Sequence, residues 1–123
     1  MVKSKRYLLD THIFIWWLSD DPRLSTSYRK ILTQGENTVY LSIASIWEMY
    51  LKQESGKLKF PKELEKIIGK TGFVLLPISF THLSRLSQLP KLHKDPFDRI
   101  LIAQAQVEKL VFITDDKKIR QYL

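Results

Sequence analysis

The sequence contains no cysteine, few glycines and no long hydrophobic run. The lack of cysteine excludes disulfide bridges, thiolate metal sites and a cysteine nucleophile, so a metal would need oxygen or histidine ligands. Only four glycines among 123 residues exclude a collagen-like or glycine-rich disordered chain. No stretch approaches the ~20 apolar residues of a membrane span, and no signal-peptide core follows the amino terminus. We therefore expect a cytoplasmic protein without a membrane segment.

Acidic residues are fewer than basic ones. The chain has 20 Lys and Arg against 13 Asp and Glu, which gives a formal net charge of +7. Nine basic residues lie in residues 1–60 and eleven in residues 61–123, so the charge belongs to the whole body and not to a tail. Such a surface attracts polyanions, which makes RNA or DNA a candidate partner. Solubility explains the charge equally well, and composition alone does not decide between the two.

Short apolar segments alternate with helical patterns along the chain. Strand-like segments lie at residues 7–9, 38–41, 73–76 and 110–113. Strands that alternate with helices need crossover connections, which produce a mostly parallel sheet covered on both faces. The length suits one domain over residues 1–123. The sequence therefore predicts a single α/β domain with a mostly parallel central sheet.

Capping residues, prolines and glycines give the expected helix boundaries. Helices are predicted at residues 11–18, 25–34, 43–55, 61–69, 79–88 and 95–109, followed by a short final helix. Asp95-Pro96 is typical of an N-cap followed by proline in the first helical position. Thr114 is the predicted cap of the last helix.

Acidic residues lie at three places where helices are predicted to begin. Asp10 follows the first strand, Asp98 is the third residue after the predicted N-cap Asp95, and Asp115-Asp116 follow the last strand. Acidic side chains favour helix starts because they accept hydrogen bonds from unpaired N–H groups and complement the helix dipole. Taken singly, each of these residues is better explained by capping than by catalysis.

Glu48 needs a different explanation because it lies in the middle of a predicted helix. The predicted apolar face of that helix comprises Ile43, Ile46, Trp47 and Tyr50. At about 100° per residue, Glu48 lies about 40° from Ala44, at the edge of that face. A partly buried carboxylate there needs a cation, a hydrogen-bond donor or a metal. A boundary glutamate that reaches solvent is the alternative.

Topology is expected to bring Asp10, Glu48, Asp98 and Asp116 to the same edge of the sheet. This is the carboxyl edge of the parallel strands, where ligands bind in open α/β sheets. Carboxylates that share a site raise each other's pKa, and a divalent cation removes the conflict. An all-oxygen ligand set suits Mg²⁺ or Mn²⁺, which can activate water and polarise a phosphoryl oxygen. The pattern therefore predicts metal-dependent phosphodiester hydrolysis.

These residues also lie in four segments that resemble the motifs of PIN-domain ribonucleases, specifically the toxin subunits of VapBC-type toxin–antitoxin pairs. The segments are LLDTHIFIWWL with Asp10, SIASIWEMYLKQESGKL with Glu48, DPFDRILIAQA with Asp98 and FITDD with Thr114 and Asp116. In the last segment, a threonine followed two positions later by aspartate selects Asp116 over Asp115. The resemblance covers nearly the whole chain, in the family's order and spacing.

The resemblance implies a three-layer α/β/α sandwich on a parallel sheet. It implies endonucleolytic cleavage of RNA with Mg²⁺ or Mn²⁺, metal held by Asp10, Glu48, Asp98 and Asp116, a cognate antitoxin that restrains the activity, and a homodimer. The family often has a further short strand after the last helix, and this sequence stops at Leu123. We therefore expect the edge of the sheet to be incomplete or differently completed.

Several other residues are candidates for supporting roles, each with an equally good structural explanation. Lys94 and Arg99 flank Asp98 and are candidates for phosphate binding, although ion pairing or solvation explains them as well. Thr11 and Ser45 are candidates for orienting metal-bound water, although capping or packing explains them equally well. Thr114 is a supporting candidate because it is the threonine of the fourth motif. The three histidines share no metal-ligand spacing, and the three tryptophans are candidates either for base stacking or for packing.

Two alternative functions remain open from the sequence. The first is a PIN-like module that binds nucleic acid without cleaving it, with its acidic residues serving as helix caps. Retention of all four acidic residues argues against it. The second is a phosphorylatable receiver domain, which would need a phospho-acceptor aspartate after the third strand. That strand instead runs into Pro77-Ile78, which disfavours the receiver hypothesis.

Overall fold

The computed structural model describes residues 5–91 and 94–122. The elements in chain order are β1 (Arg6–Leu9), α1 (Thr11–Leu18), α2 (Thr26–Thr33), β2 (Thr38–Ser42), α3 (Ile43–Glu54), α4 (Leu64–Thr71), β3 (Val74–Leu76), α5 (Phe80–Gln88), α6 (Pro96–Glu108), β4 (Val111–Ile113) and α7 (Lys117–Arg120). This is the predicted alternation of strands and helices. No helix in the described part of the chain is long and apolar enough to cross a membrane.

The strands form one four-stranded sheet in the order β3-β2-β1-β4. All three neighbouring pairs are parallel, with Tyr7 opposite Val39 and Leu8 opposite Phe112. The central strand β1 has neighbours that come from different halves of the sequence, so the strand order reverses beside it. Within residues 5–91 and 94–122, β4 is an edge strand, and no further strand pairs with it.

Helices cover both faces of the sheet. Side chains of a strand alternate between its two faces, and in β1 Tyr7 and Leu9 join one hydrophobic cluster while Leu8 joins the other. The first cluster also contains buried residues of α1, α2 and α4, and the second contains residues of α6 and α7. Two clusters on opposite faces make a three-layer α/β/α sandwich, which confirms the predicted fold class.

The orientation of α3 differs from the expectation. Three of the four residues of its predicted apolar face are exposed, since 40% of Ile43, 58% of Trp47 and 48% of Tyr50 remain accessible. The fourth, Ile46, is partly buried against the first hydrophobic cluster. The side that packs against the protein instead carries Ala44, Ser45, Glu48 and Met49. The prediction was wrong because helical periodicity identifies an apolar stripe but not the neighbour that covers it.

The predicted boundaries of two helices also shift. Helix α4 begins at Leu64 rather than at residue 61, and it continues past Gly69 to Thr71. It ends there because Gly72 adopts a left-handed conformation with φ of 79°, which glycine reaches without a Cβ clash. The last helix is capped by Asp116 and not by Thr114, because the Thr114 hydroxyl bonds elsewhere.

Candidate metal centre

A hydrogen bond joins the end of β1 to the end of its neighbour, the edge strand β4. The hydroxyl of Thr114, which follows β4, donates to Oδ2 of Asp10, which follows β1, over 2.7 Å. Both side chains are buried, and the parallel pairing of β1 with β4 brings together residues that are 104 positions apart. The same hydroxyl oxygen accepts from the backbone N–H of Asp116 over 3.0 Å. Thr114 therefore fixes Asp10 and orients the segment that carries Asp116.

Asp10 does not cap the helix that follows it. Its backbone occupies the N-cap position of α1, but its side chain makes no capping hydrogen bond. Its Oδ1 atom is buried and has no hydrogen-bond partner. Burial raises the pKa of Asp10 above its ordinary value against the opposing effect of the Thr114 hydrogen bond, and Glu48 raises it further. The capping explanation therefore fails for Asp10, whose second oxygen is left unpaired.

Glu48 lies on the buried side of α3. Only 4% of the residue is accessible, and its Oε2 atom pairs with Nζ of Lys52 at 3.0 Å. Its Oε1 atom is buried without a hydrogen-bond partner. The negative charge of Glu48 also contributes to the raised pKa of Asp10. Glu48 is thus a buried carboxylate with a cation as partner, not the alternative boundary glutamate that reaches solvent, and only one of its two oxygens is paired.

Asp98 lies in the first turn of α6 and is half-buried. Burial raises the pKa of Asp98 to about 8, helped by the negative charges of Asp10, Asp95, Glu48 and Asp116. The charges of these four residues therefore act on Asp98. The expectation that Asp10, Glu48, Asp98 and Asp116 form one metal site stays a prediction.

Asp95 and Asp116 make the capping hydrogen bonds expected of helix starts. Asp95 Oδ1 accepts from the N–H groups of Phe97 and Asp98, at 2.8 and 3.2 Å. Asp116 Oδ1 accepts from the N–H of Lys118 at 2.8 Å. Asp116 therefore caps α7 and also acts through its charge on Asp98. Its neighbour Asp115 is exposed and is not among the charges that raise the pKa of Asp98.

The candidate supporting residues lie in different environments. The buried Thr11 hydroxyl donates to Ser45 Oγ over 2.8 Å and so ties the start of α1 to α3, which carries Glu48. Lys94 is exposed. Arg99 donates to the backbone carbonyls of Pro90 and Leu86, at 3.0 and 3.3 Å, and so connects α6 to the end of α5.

The described histidines and the tryptophans lie in different environments. His82 is buried and pairs through Nε2 with Glu108 at 2.9 Å, and His93 lies outside the described residues. His12 is exposed beside Trp16, whose ring also contacts the guanidinium of Arg23. Trp17 packs against Phe73. Trp47 is mostly exposed, and its ring makes an edge contact with Phe97.

Two cavities are lined by residues of the acidic group. One, of about 240 Å³, is lined in part by Asp10, His12, Trp16 and Asp116. The other, of about 330 Å³, is lined in part by Glu48, Lys52, Lys57 and Phe97. Asp10 and Glu48 thus each border a space that is open to a ligand.

The acidic group fits a hydrated divalent cation. Two buried carboxylate oxygens, Oδ1 of Asp10 and Oε1 of Glu48, have no donor, and unpaired buried acceptors are costly. Among the described residues, no three acidic or histidine side chains are close enough to enclose a metal. Mg²⁺ does not require such a cage, because it retains several waters and is commonly held by one or two carboxylates. Asp10 and Glu48 are the best placed of the four to hold it.

Lys52 is the residue that sequence reasoning missed. It is a cation in direct contact with one of the acids, whereas the predicted Arg99 bonds to carbonyl groups. A signal was available, because a glutamate four residues before a lysine on a helix is a favourable pair. Helical spacing gives no measure of how deeply Glu48 is buried, and the importance of this pair depends on that burial.

Comparisons with known proteins agree with this architecture. The family model described as PIN domain matches residues 7–122. One similar solved structure is VapBC2 from Rickettsia felis bound to a DNA fragment from their promoter, with a TM-score of 0.70 and 16% identity over 95% of this chain and 92% of that chain. Another is a toxin–antitoxin complex from Klebsiella pneumoniae, with a TM-score of 0.62 and 23% identity over 91% and 88%. No curated protein matches the chain. Since the family model spans nearly every residue, the chain belongs to the PIN domain family.

Proposed function

We propose that this protein is a metal-dependent endoribonuclease and the toxin of a toxin–antitoxin pair. The observation that carries the proposal is that two buried carboxylate oxygens, Oδ1 of Asp10 and Oε1 of Glu48, have no hydrogen-bond donor. Burial, together with the charges of Asp10, Asp95, Glu48 and Asp116, also raises the pKa of Asp98 to about 8. Acidic side chains in this state are electrostatically unfavourable without a cation. The PIN-domain match and the two toxin–antitoxin neighbours support the biological role.

The four acids have different tasks in this proposal. Asp10 and Glu48 offer their unpaired buried oxygens to Mg²⁺ or Mn²⁺, while Asp98 and Asp116 complete the negative field from their helix starts. When bound, the metal supplies Lewis acidity to a phosphoryl oxygen and lowers the pKa of a water. Thr114 keeps Asp10 in one orientation through its 2.7 Å hydrogen bond. Thr11, which follows Asp10, ties the start of α1 to α3, the helix that carries Glu48.

The charge of the molecule suits an RNA substrate. A net charge of +7 attracts a polyanion towards a site whose own carboxylates repel it. The positive surface therefore increases the rate of encounter, and the metal provides attraction at the centre. Lys94 is exposed next to α6 and is available to a phosphate in this arrangement.

RNA incubated with the purified protein tests the proposal. We expect defined cleavage products with Mg²⁺ or Mn²⁺ and none in excess chelator, with activity restored when metal is added back in excess. The cognate antitoxin should suppress the cleavage when the two are mixed. Salt-sensitive RNA binding without any cleavage in either metal would contradict the proposal and indicate a module that only binds nucleic acid.

The exposed apolar residues support the homodimer part of the proposal. We define the apolar face as Ile43, Trp47 and Tyr50 of α3, Val74 and Leu75 of β3, and Phe80 and Leu83 of α5. Each has 40% or more of its surface accessible, and Phe80 reaches 84%. Side chains of α3 line one cavity with Leu75 and another with Leu83, so the face is continuous along that helix. Large exposed apolar patches mark interaction surfaces.

Sedimentation velocity measures this association. We expect a dimer for the wild-type protein and a monomer for Trp47→Glu, because a charge at the centre of an apolar interface is costly to desolvate. Val111→Glu serves as the matched control, since Val111 is 54% exposed but lies on the opposite edge strand β4. A wild-type monomer at micromolar concentration would contradict this part of the proposal.

A further inference from the structure

The two oxygens of Glu48 have different surroundings. Oε2 is 3.0 Å from the ammonium of Lys52, and Oε1 is buried without a partner. Only 5% of the Glu48 side chain is accessible, against 33% of the Lys52 side chain. The pair thus joins a buried acid to a cation that still reaches solvent. Lys52 lies one helical turn after Glu48 on α3, so the pair forms within one helix.

Lys52 also lines the 330 Å³ cavity beside the acids. Ser55 and Lys57 line the same cavity, and Lys57 is exposed. A lysine side chain is a point charge with three donors on a flexible stem, so its ammonium can change partners without moving the backbone. The ammonium of Lys52, which now contacts the Glu48 carboxylate, could therefore reach an anion in the cavity by a change of side-chain rotamer alone.

We propose that Lys52 is an exchangeable counter-ion of Glu48. In the metal-free protein Lys52 neutralises Glu48, and it gives up the carboxylate when a divalent cation binds. The released ammonium then binds a phosphate of the RNA backbone in the cavity, next to Lys57. The inference rests on the proposed function for the metal and the substrate class, and it adds a phosphate subsite and a link between metal binding and RNA binding.

The physical basis is competition for one carboxylate. A divalent ion and an ammonium that share Glu48 repel each other, so each lowers the affinity of the site for the other. A phosphate in the cavity offers Lys52 a new partner and removes the conflict. Because binding coupling is reciprocal, metal should strengthen RNA binding by the factor by which RNA strengthens metal binding.

Mn²⁺ binding without nucleic acid tests the first step. Isothermal titration at about pH 8 should show Lys52→Met binding Mn²⁺ roughly three- to tenfold more tightly than wild type, since the competing cation is gone. Lys52→Arg, which keeps the charge, should resemble wild type. Lys57→Met should change the affinity less than twofold, because Lys57 lines the cavity without pairing with Glu48.

Oligonucleotide binding tests the second step. A fluorescein-labelled single-stranded oligodeoxynucleotide offers the phosphate backbone without the ribose hydroxyl, and a denaturing gel checks that it stays intact. With Mn²⁺, both Lys52→Met and Lys57→Met should bind it severalfold more weakly than wild type. Without Mn²⁺, only Lys57→Met should be weaker, because Lys52 is then engaged with Glu48.

The outcomes separate the two proposals. Wild-type Mn²⁺ affinity in Lys52→Met, or equal weakening of oligonucleotide binding with and without Mn²⁺, would overturn the exchange while leaving RNA cleavage by the wild type intact. No Mn²⁺ binding by the wild type would overturn the exchange together with the metal site. Circular dichroism checks the fold of each variant, and Lys52→Gln replaces Lys52→Met if the latter does not fold.

Discussion

Asp10→Asn is expected to abolish RNA cleavage without destabilising the protein. Replacing a residue that only orients a metal ligand commonly costs about 10–100-fold in metal affinity or activity. Loss of a carboxylate that itself faces the metal should cost more than about 100-fold. Single-turnover cleavage of a labelled RNA measures the loss, and cleavage within about tenfold of wild type would contradict the assignment of Asp10.

Stability should move in the opposite direction in the same variant. Burial raises the pKa of Asp10, which means that the ionised carboxylate is less stable in the folded protein than in the unfolded chain. Asparagine removes that charge and can still accept the hydrogen bond from Thr114. We therefore expect an unfolding free energy equal to or above that of wild type in urea titrations. A large loss of stability would mean that Asp10 serves the fold.

Two companion variants make the Asp10 result specific. Thr114→Val removes the hydroxyl that bonds both Asp10 and the N–H of Asp116, so it should lower activity by about 10–100-fold through misplacement of the acids. Asp115→Asn is the matched control, because Asp115 is an exposed acid adjacent to Asp116. It should cleave at close to the wild-type rate. Equal losses in Asp115→Asn and Asp116→Asn would contradict the choice of Asp116.

The stability of the metal-free protein should fall as the pH rises from about 4 to about 8. Unfolded Asp98 loses its proton near its ordinary pKa of 3.8, whereas burial and the surrounding acids raise the folded-state pKa to about 8. Between these values the folded protein binds more protons than the unfolded chain, so each increase in pH favours unfolding. Asp98 is only half-buried, so solvent screening should limit the total effect to about 1–2 kcal/mol.

Urea titrations in chelator across this pH range measure the effect of Asp98. Asp98→Asn should be more stable than wild type at about pH 8 and should show a flatter pH profile, because the amide cannot ionise. Asp115→Asn should keep the wild-type profile. Excess Mg²⁺ should recover stability in the upper part of the range, since a cation favours the ionised carboxylates and displaces protons on binding. An identical profile for Asp98→Asn and wild type would contradict the proposed group of interacting acids.

Local sequence signals were sufficient to locate individual elements, such as the strand β1 and the capped start of α6. The segment before Asp10 is apolar and short, so it was predicted as a strand, and the structure has β1 at Arg6–Leu9. Asp95-Pro96 was predicted to start a helix, and Asp95 does cap α6 through two backbone N–H groups. Strand–helix alternation predicted a parallel sheet because parallel neighbours require crossovers.

The same signals failed for α3, because burial is decided by partners far away in sequence. Periodicity correctly marked Ile43, Trp47 and Tyr50 as an apolar stripe, yet that stripe is exposed and the helix packs through the face that carries Glu48. A chain that presents an apolar stripe to its own core and one that presents it to another molecule have the same local pattern. Only packing against the sheet and α6 distinguishes them.

By itself, the sequence determined the class of fold and the residue types available for chemistry: no thiol, a basic surface, and acids placed after strands and at helix starts. The tertiary structure alone decided the electrostatic state of those acids. It placed the Thr114 hydroxyl on Asp10, buried Glu48 against Lys52 and surrounded Asp98 with like charges. Chain order fixes which groups exist, whereas pKa values and pairing depend on burial and on distances between groups remote in sequence, and only the folded chain sets these.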